Sequence, residues 1–400
     1  MKSKPLSIAL LAISCVAVLS LWFAASVVTP ALIAEFGIGP TRAALLTTAV
    51  QIGFVAGSLV SAILGLPDRL DPRLLYCAAA LTGAAANAAF LFVEPGSTVS
   101  IILRLVTGAI MAGVYPVAMK LSVSWAKNDA GFLVGTLVGA LTVGSALPHF
   151  FAFAGDLNWR VVMTTASTAA AIGALLVLGV GIGPGFKNAG RFNPHVALSA
   201  LKSRPLRLAN FGYFGHMWEL YAVWAWLGSY IAASFATTGM ADAQSNARLV
   251  AFLAIGSGAL GAFGGGYLAD RIGRTRLTII ALAISGFCCV AAGPLFGAAP
   301  GLIILLSLVW GVSVIADSAQ FSTGIAEMSE PGTQGTILTM QTAIGFAITV
   351  ITVQGLPAWV DLVGWQWAFL PLVFGPIFGI AAMARLRHVP EAAKMAGGKR

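Results

Sequence analysis

The chain of 400 residues is 58% hydrophobic and only 9% charged, with a mean hydropathy of +0.90. About a quarter of the residues in soluble domains are charged, so this composition excludes an ordinary soluble enzyme and predicts an all-α protein that crosses a lipid bilayer many times. The formal net charge of +9 does not indicate a nucleic-acid partner, because the basic residues lie in short loops between long apolar runs.

Twelve apolar runs are long enough to cross a membrane, since a spanning helix needs about 20 residues. The first run follows Lys2 and Lys4 as in a signal peptide, but it is too long for one, so we expect an uncleaved first span. The polar segment 184–207 is a predicted linker between an N-terminal six-helix bundle (1–183) and a C-terminal one (208–400). The predicted spans are 6–29, 43–65, 73–93, 98–121, 131–153, 160–183, 208–235, 248–269, 276–296, 301–325, 334–357 and 365–386.

The Lys and Arg residues predict the orientation, because short cytoplasmic loops collect basic residues. With the N-terminus on the cytoplasmic side, all but four of the 23 basic residues fall on that side. Arg42, Arg160 and Arg248 fall on the outer side, and Arg104 lies within a span. We therefore expect both termini and the linker to be cytoplasmic.

Short motifs recur in the two halves at a shift of roughly 200 residues, which predicts two parallel repeats. In the fourth and tenth spans, Arg104-Leu-Val-Thr-Gly108 parallels Ser307-Leu-Val-Trp-Gly311. After the second and eighth spans, Gly65-Leu-Pro-Asp68-Arg69 parallels Gly266-Tyr-Leu-Ala-Asp270-Arg271. Two sets of six spans in the same orientation are therefore expected to be related by an axis along the membrane normal.

The loop after the eighth span, Gly266-Tyr-Leu-Ala-Asp270-Arg271-Ile-Gly273-Arg274-Thr-Arg276, resembles the cytoplasmic loop motif of the major facilitator superfamily. Its glycines would permit close helix approach and a tight turn, and Asp270 could pair with Arg271 or Arg274 to hold one face of the protein shut. The alternative is a basic loop without a special role. The copy after the second span is one residue shorter and contains Pro67. The implied gating residues are Asp68, Arg69, Gly266, Asp270, Arg271, Gly273 and Arg274.

Further segments carry the same resemblance. Arg104-x-x-x-Gly108 resembles the fourth-span motif of the family, and Trp159 begins the sixth span as is usual there. The stretch from Arg204 to Trp226 is similar to a signature of one group of bacterial members. The resemblance covers nearly the whole chain and implies twelve transmembrane helices in two pseudo-symmetric bundles, in the inner membrane of a bacterium.

The seventh span contains a histidine and a carboxylate. His216 and Glu219 are three residues apart and share a helix face, which Tyr213 extends by one turn. A carboxylate in hydrocarbon costs about 2.5 kcal/mol or more, so we expect Glu219 to face protein or a water-filled cavity. There it could take up and release a proton, or it could be an interior hydrogen-bond partner that fixes helix packing. Trp218 and Tyr221 lie on a neighbouring face and are candidates to line a solute site.

Other polar or aromatic residues within the spans are also candidates for solute or proton binding. Asp317, in the cytoplasmic half of the tenth span, either lines a cavity or ties helices together near its mouth. Arg104 either pairs with a solute or a carboxylate, or is structural. Lys120 either attracts an anion or extends to the cytoplasmic surface. Trp22 in the first span and Gln341 in the eleventh complete the set.

Several functions are not indicated. The four cysteines fall in apolar runs without metal-ligand spacing, and no phosphate-binding loop or Ser-His-Asp spacing is present, so we expect no metal, no cofactor and no enzymatic activity. His149, near the outer end of the fifth span, is expected at the membrane interface.

These features predict a monomeric secondary transporter that moves a small polar or anionic solute with coupled protons. One alternative is a proton-driven exporter of cationic or amphipathic compounds, although the fifth span has only a loose version of the Gly-Pro motif usual in such antiporters. Another is a receptor or assembly factor that does not transport, although the chain has no sizeable soluble domain to carry a signal.

Overall fold

The computed structural model describes residues 3–127, 129–186, 193–330 and 332–400, with the backbone alone at 68, 130, 131 and 199. This part of the chain is helical and contains no strand. The predicted linker is described only in part, because Lys187 and Arg191 lie outside these ranges, as does Lys2 at the start of the chain. A short helix, Pro194–Lys202, forms its second portion.

Twelve long helices follow one another in the described residues, which confirms the predicted number of spans. We number them α1 to α12: Lys4–Phe36, Pro40–Leu64, Pro72–Phe92, Thr98–Val123, Ala130–Ala154, Trp159–Gly179, Arg204–Thr237, Ala243–Ile272, Arg274–Leu295, Pro300–Met328, Gln334–Val363 and Trp365–Arg387. Eleven are long and apolar enough to cross a membrane; α7 falls short in mean hydropathy because Trp, Tyr, His and Glu interrupt its apolar run.

Local sequence explains several helix ends. Gly37 and Gly65 end α1 and α2 with φ values of 64° and 62°, a left-handed conformation that suits glycine. Asp71 accepts a hydrogen bond from the backbone N–H of Arg73 at the start of α3. Asn158 does the same at the start of α6, where the first backbone donors have no helical partner. The polar residues between the spans therefore act as helix caps.

The two halves repeat the same close helix packing. In the first half, a Cβ added to Gly108 of α4 would lie 1.9 Å from the carbonyl oxygen of Val50 on α2. In the second half, a Cβ on Gly311 of α10 would lie 1.7 Å from the carbonyl oxygen of Ala254 on α8. Only glycine lets these backbones touch. The two contacts are related by a shift of roughly 200 residues, as expected for two pseudo-symmetric six-helix bundles.

The halves meet along two helix pairs, α2 with α11 and α5 with α8. The hydroxyl of Thr48 on α2 donates to Oε1 of Gln354 on α11 at 3.1 Å, and Nε2 of Gln354 donates to the carbonyl of Thr41 at 3.2 Å. Between α5 and α8, the ring centroids of Phe150 and Phe252 are 5.2 Å apart. The Thr48–Gln354 and Phe150–Phe252 contacts lie toward the predicted outer ends of the helices. Phe132 of α5 and Phe263 of α8 lie toward the opposite ends, with ring centroids 6.4 Å apart, so α5 and α8 are in contact along most of their length.

An aromatic cluster also fills the space between the halves. Tyr221 of α7 lies 5.8 Å from Trp22 and 5.9 Å from Phe23 of α1, between ring centroids. Phe346 of α11 lies 4.9 Å from Tyr221 and 4.6 Å from Phe54 of α2. These residues lie near the middle of their helices, so both halves contribute to one cluster of packed aromatic rings at mid-length of the helix bundle.

Candidate functional site

Helix α7 carries two chemically different faces. His216 and Glu219 face α9 and α10, inside the second half. Tyr221, Trp224 and Gly228 follow one another at steps of three and four residues on another face, toward α1 and α5 of the first half. His216 and Glu219 therefore lie within one bundle, whereas Tyr221 and Trp224 lie between the two bundles.

Glu219 is fully buried and accepts hydrogen bonds from two helices of the second half. Its Oε1 accepts from the indole N–H of Trp310 on α10 at 2.6 Å and from Sγ of Cys289 on α9 at 3.5 Å. Its Oε2 accepts from the hydroxyl of Ser285 on α9 at 2.9 Å. The carboxyl group thus faces protein, which is one of the two surroundings expected for it. No sequence motif indicates Ser285 or Trp310 as partners, since they lie 66 and 91 residues away along the chain.

His216 faces Asp317 at a break in α10. Nδ1 of His216 lies 3.0 Å from Oδ1 of Asp317, and both side chains are 1% exposed. Asp317 separates the helical segments Pro300–Ala316 and Ser318–Met328, and its carbonyl accepts from the N–H of Gln320 in a tight turn. Nε2 of His216 is buried and has no hydrogen-bond partner among the described residues. Two ionisable groups thus meet where α10 is interrupted.

Three other predicted residues near α7 take different positions. The ring of Tyr213 is buried, 6.1 Å from that of His216. Gln341 of α11 accepts a hydrogen bond from a serine of α10 at 3.2 Å. Trp218 faces α12, where its indole N–H donates to the carbonyl of Pro371 at 3.2 Å. Tyr213 therefore adjoins the ionisable cluster, whereas Trp218 lies on a different side of α7.

Arg104 is fully buried, and its donors are used within the first half. Nη1 donates to Oδ1 of Asn87 on α3 at 2.9 Å, and Nε donates to the carbonyl of Leu46 on α2 at 3.4 Å. Nη2 donates to the carbonyls of Leu21 and Trp22 on α1, both at 2.9 Å. All three guanidinium nitrogens are engaged with neutral acceptors, which favours the structural interpretation of Arg104.

The first-half copy of the loop motif follows α2. Arg69 is exposed, and the side chain of Asp68 lies outside the part of the chain that the structure describes. Nζ of Lys120, at the end of α4, donates to the carbonyl of Pro67 at 3.3 Å and lies 4.5 Å from the centroid of the Phe186 ring. Lys120 therefore extends toward the predicted cytoplasmic surface.

Arg274 is the centre of the second-half copy. Its Nε and Nη2 donate to the two carboxylate oxygens of Glu327 on α10, each at 2.7 Å, and its Nη1 donates to Oε1 of Gln320 at 2.6 Å. Oδ1 of Asp270 lies 3.4 Å from Nη2, but the Asp270 side chain is 63% exposed. The predicted pairing of Asp270 with Arg274 is present, whereas the bidentate partner Glu327 was not predicted. These contacts all stay within the second half and tie α8, α9 and α10 together.

The other residues of this motif differ in their surroundings. Gly273 has a φ of 96° and packs against the carbonyl oxygen of Arg400, so a side chain there would be strained and would clash. Gly266 has open space within 4 Å of its Cβ position, so the expectation that it permits close helix approach is wrong. The guanidinium of Arg271 lies 4.2 Å from the centroid of the Tyr267 ring.

Two basic side chains that the sequence assigned to the outer surface are buried. His149 is 1% exposed and Arg248 is 4% exposed. The interfacial placement of His149 is therefore wrong, and Arg248, near the predicted outer end of α8, does not reach the surface. Both side chains fit against α7 because residue 228 is a glycine. A Cβ there would lie only 3.1 Å from Cε1 of His149 and 2.9 Å from Nη1 of Arg248. Since the three residues belong to three helices, no pattern along the chain could have brought them together.

The chain matches the family model of the major facilitator superfamily over residues 10–348. It is 29% identical over 149 residues to YdfJ of Escherichia coli (strain K12), which is named as a candidate transporter; the match covers 33% of this chain and 34% of YdfJ, about a third of that relative's length.

The fold is also similar to those of two solved structures. One is a mutant of the nucleoside transporter NupG, with a TM-score of 0.75 and 14% identity over 96% of this chain and 100% of that one. The other is a D-xylose-proton symporter, with a TM-score of 0.72 and 15% identity over 98% of this chain and 99% of that one. At these identities the likeness concerns the fold alone. Because the family model matches most of its length, the chain belongs to the major facilitator superfamily.

Proposed function

We propose that this protein is a secondary active transporter that moves a small polar or anionic solute by alternating access, coupled to protons, in the inner membrane of a bacterium. The observation that carries the proposal is the cluster of ionisable side chains His216, Glu219 and Asp317, all buried in the second half. Family membership and the likeness in fold to two solute transporters support transport. One of these, by its name, moves protons with its sugar.

The surroundings of Glu219 suit a carboxyl group that gains and loses a proton. In the ionised form it accepts hydrogen bonds from Trp310, Cys289 and Ser285. If Oε2 is protonated, it can donate to the Ser285 hydroxyl, because that hydroxyl has a second acceptor in the carbonyl of Leu282 at 3.3 Å. Rotation of one hydroxyl group therefore satisfies both protonation states without repacking of the helices.

His216 and Asp317 form the next step of the proposed proton path after Glu219. His216 lies one turn before Glu219 on the same face of α7 and contacts Asp317 at the break of α10. Imidazole can bind a proton on either nitrogen, and Nδ1 of His216 lies 3.0 Å from Oδ1 of Asp317, so His216 can exchange a proton with Asp317. Nε2 has no partner among the described residues and is the nitrogen available on the other side of the ring. Asp317 is closer to the predicted cytoplasmic end of α10, at Met328, than to the outer end, so this path leads toward the cytoplasm.

Arg104 does not contribute to the solute site in this proposal. Its three nitrogens already donate to acceptors on α1, α2 and α3. Withdrawing them would leave buried polar groups unpaired, at about 1–3 kcal/mol each. We therefore assign Arg104 to the stability of the first half.

The test measures protons and solute together. A thermal-shift screen of the purified protein first identifies a solute, because a bound ligand raises the melting temperature. The protein is then reconstituted into liposomes that contain a pH-sensitive dye. We expect addition of the solute to change the internal pH in proportion to its uptake. Uptake with no accompanying proton movement would contradict proton coupling, and the absence of any uptake would contradict transport.

A further inference from the structure

We infer that the protein binds a small organic monoanion between His149 of α5 and Arg248 of α8, against Gly228 of α7. This inference extends the proposed function, since the anion is the transported solute or its charged group. Helix α5 belongs to the first half, whereas α7 and α8 belong to the second. A ligand at this place would therefore contact both halves at once.

The two basic side chains are buried without counter-ions. Neither ring nitrogen of His149 has a hydrogen-bond partner in the described part of the chain. The backbone carbonyl of Trp224 lies beside the ring but completes no hydrogen bond with it. Arg248 is 4% exposed, and no described carboxylate lies within ion-pair distance of its guanidinium. An uncompensated arginine at membrane depth is costly, so an anion that enters and leaves gives a reason for its presence.

The geometry lets one anion reach both side chains. A Cβ at Gly228 would lie 2.9 Å from Nη1 of Arg248 and 3.4 Å from Nδ1 of His149, so both nitrogens approach the same point on α7. Guanidinium offers only donors, and imidazole offers at least one N–H in either protonation state. A carboxylate can therefore accept from both side chains through charge-assisted hydrogen bonds.

The residues next to His149 and Arg248 indicate the chemical character of the rest of the anion, beyond its charged group. Trp224 lies one turn before Gly228 on the same face of α7, and its buried indole N–H has no partner among the described residues. Its ring packs against Tyr221 at 5.6 Å and Phe23 at 5.9 Å, between centroids. One arginine and one histidine suit a single negative charge, and the adjoining aromatic surface suits a small apolar or aromatic body.

A binding experiment on the purified full-length protein tests this site without transport. The melting temperature is measured with sodium acetate, benzoate and nitrate at constant ionic strength, and with neutral benzamide as the uncharged comparison. We expect benzoate to raise the melting temperature and benzamide to leave it unchanged. If neither acetate nor benzoate raises the melting temperature of the wild type, the inference is wrong, and a response to nitrate alone would not rescue it.

Three variants locate the bound anion. Arg248→Gln removes the positive charge and His149→Leu removes the ring N–H, whereas Gly228→Ala keeps both side chains and fills the space between them. We expect each to weaken benzoate binding by roughly tenfold or more. Arg160→Gln is the matched control, because Arg160 is an exposed arginine paired with Glu35 at 3.1 Å. Binding of wild-type strength in folded Gly228→Ala or Arg248→Gln would overturn the site.

The same set of variants distinguishes three outcomes: a variant that does not fold, a protein that does not transport, and a protein that does not bind an anion at this site. The melting temperature and size-exclusion profile without ligand show which variants fold, and Gly228→Ala remains a test if the loss of Arg248 prevents folding. Anion binding that depends on Arg248 in a protein without uptake would contradict only the proposed transport. Proton-linked uptake of a neutral solute that is unchanged in Arg248→Gln would contradict only the anion site.

Discussion

The indole nitrogen of Trp310 donates a hydrogen bond to Oε1 of Glu219 across 2.6 Å and joins α10 to α7 inside the second half. The corresponding tie in the first half is different, because Arg104 of α4 donates to the carbonyls of Leu21 and Trp22 on α1. Each half thus joins its fourth helix to its first. The packing is repeated, but in this pair of contacts only the second half contains a carboxyl group.

Replacing Trp310 by phenylalanine removes the donor and keeps most of the ring. We expect a loss of about 1–3 kcal/mol in the free energy of unfolding, because a buried acceptor loses a partner. Proton-driven uptake should fall as well. The measurements are the melting temperature in detergent and uptake into proteoliposomes. Trp359→Phe is the control, since that indole donates to the carbonyl of Trp367 in an exposed part of the chain. Equal melting temperatures for the two variants would argue against a stabilising Trp310–Glu219 contact.

The contacts of Arg274 at the loop between α8 and α9 predict that Glu327 contributes more to stability than Asp270 does. Glu327→Gln breaks the bidentate contact to Arg274, and we expect it to cost about 1.5–3 kcal/mol. Asp270→Asn removes only an exposed pair and should cost less than about 1 kcal/mol. If the loop holds the cytoplasmic side shut, single cysteines at the cytoplasmic helix ends should react faster with a maleimide in Glu327→Gln than in Asp270→Asn. The reverse order would contradict the assignment of Glu327 as the main partner of Arg274.

The close contact between α8 and α10 predicts a strong effect of one methyl group. In Gly311→Ala the new Cβ would overlap the carbonyl of Ala254, so the helices must separate, at about 1–3 kcal/mol or more. Gly266→Ala on α8 is the matched control, because its Cβ would meet open space. Melting temperature and the yield of folded protein provide the measurement. A Gly311→Ala protein as stable as Gly266→Ala would show that the contact is not close.

The fold could be predicted because it depends on short-range features of the chain. Long apolar runs identify the spans, and the shared motif around Gly108 and Gly311 reflects one backbone contact that each half makes. Even α7 could be recognised by its length, although its polar and aromatic residues lower its mean hydropathy. Spacing along that helix also placed His216 and Glu219 on one face.

The partners of these residues could not be predicted, because helix packing brings them together across long stretches of chain. Trp310 resembles any other apolar position of its span until α10 lies against α7. His149 and Arg248 fall near predicted span ends, where a basic residue usually reaches water. Only the space above Gly228 allows both to lie between the halves.

We claim that Glu219 carries the coupled proton. The variant Glu219→Gln tests this role, because glutamine keeps the shape of the protonated side chain. The variant and wild type are compared in proteoliposomes by uptake under an imposed pH gradient and by solute counterflow, with Glu94→Gln in an exposed loop as the control. We predict that Glu219→Gln loses gradient-driven uptake and retains at least part of its counterflow, which needs no net proton movement. Gradient-driven uptake at the wild-type rate in Glu219→Gln would contradict the claim and move attention to Asp317.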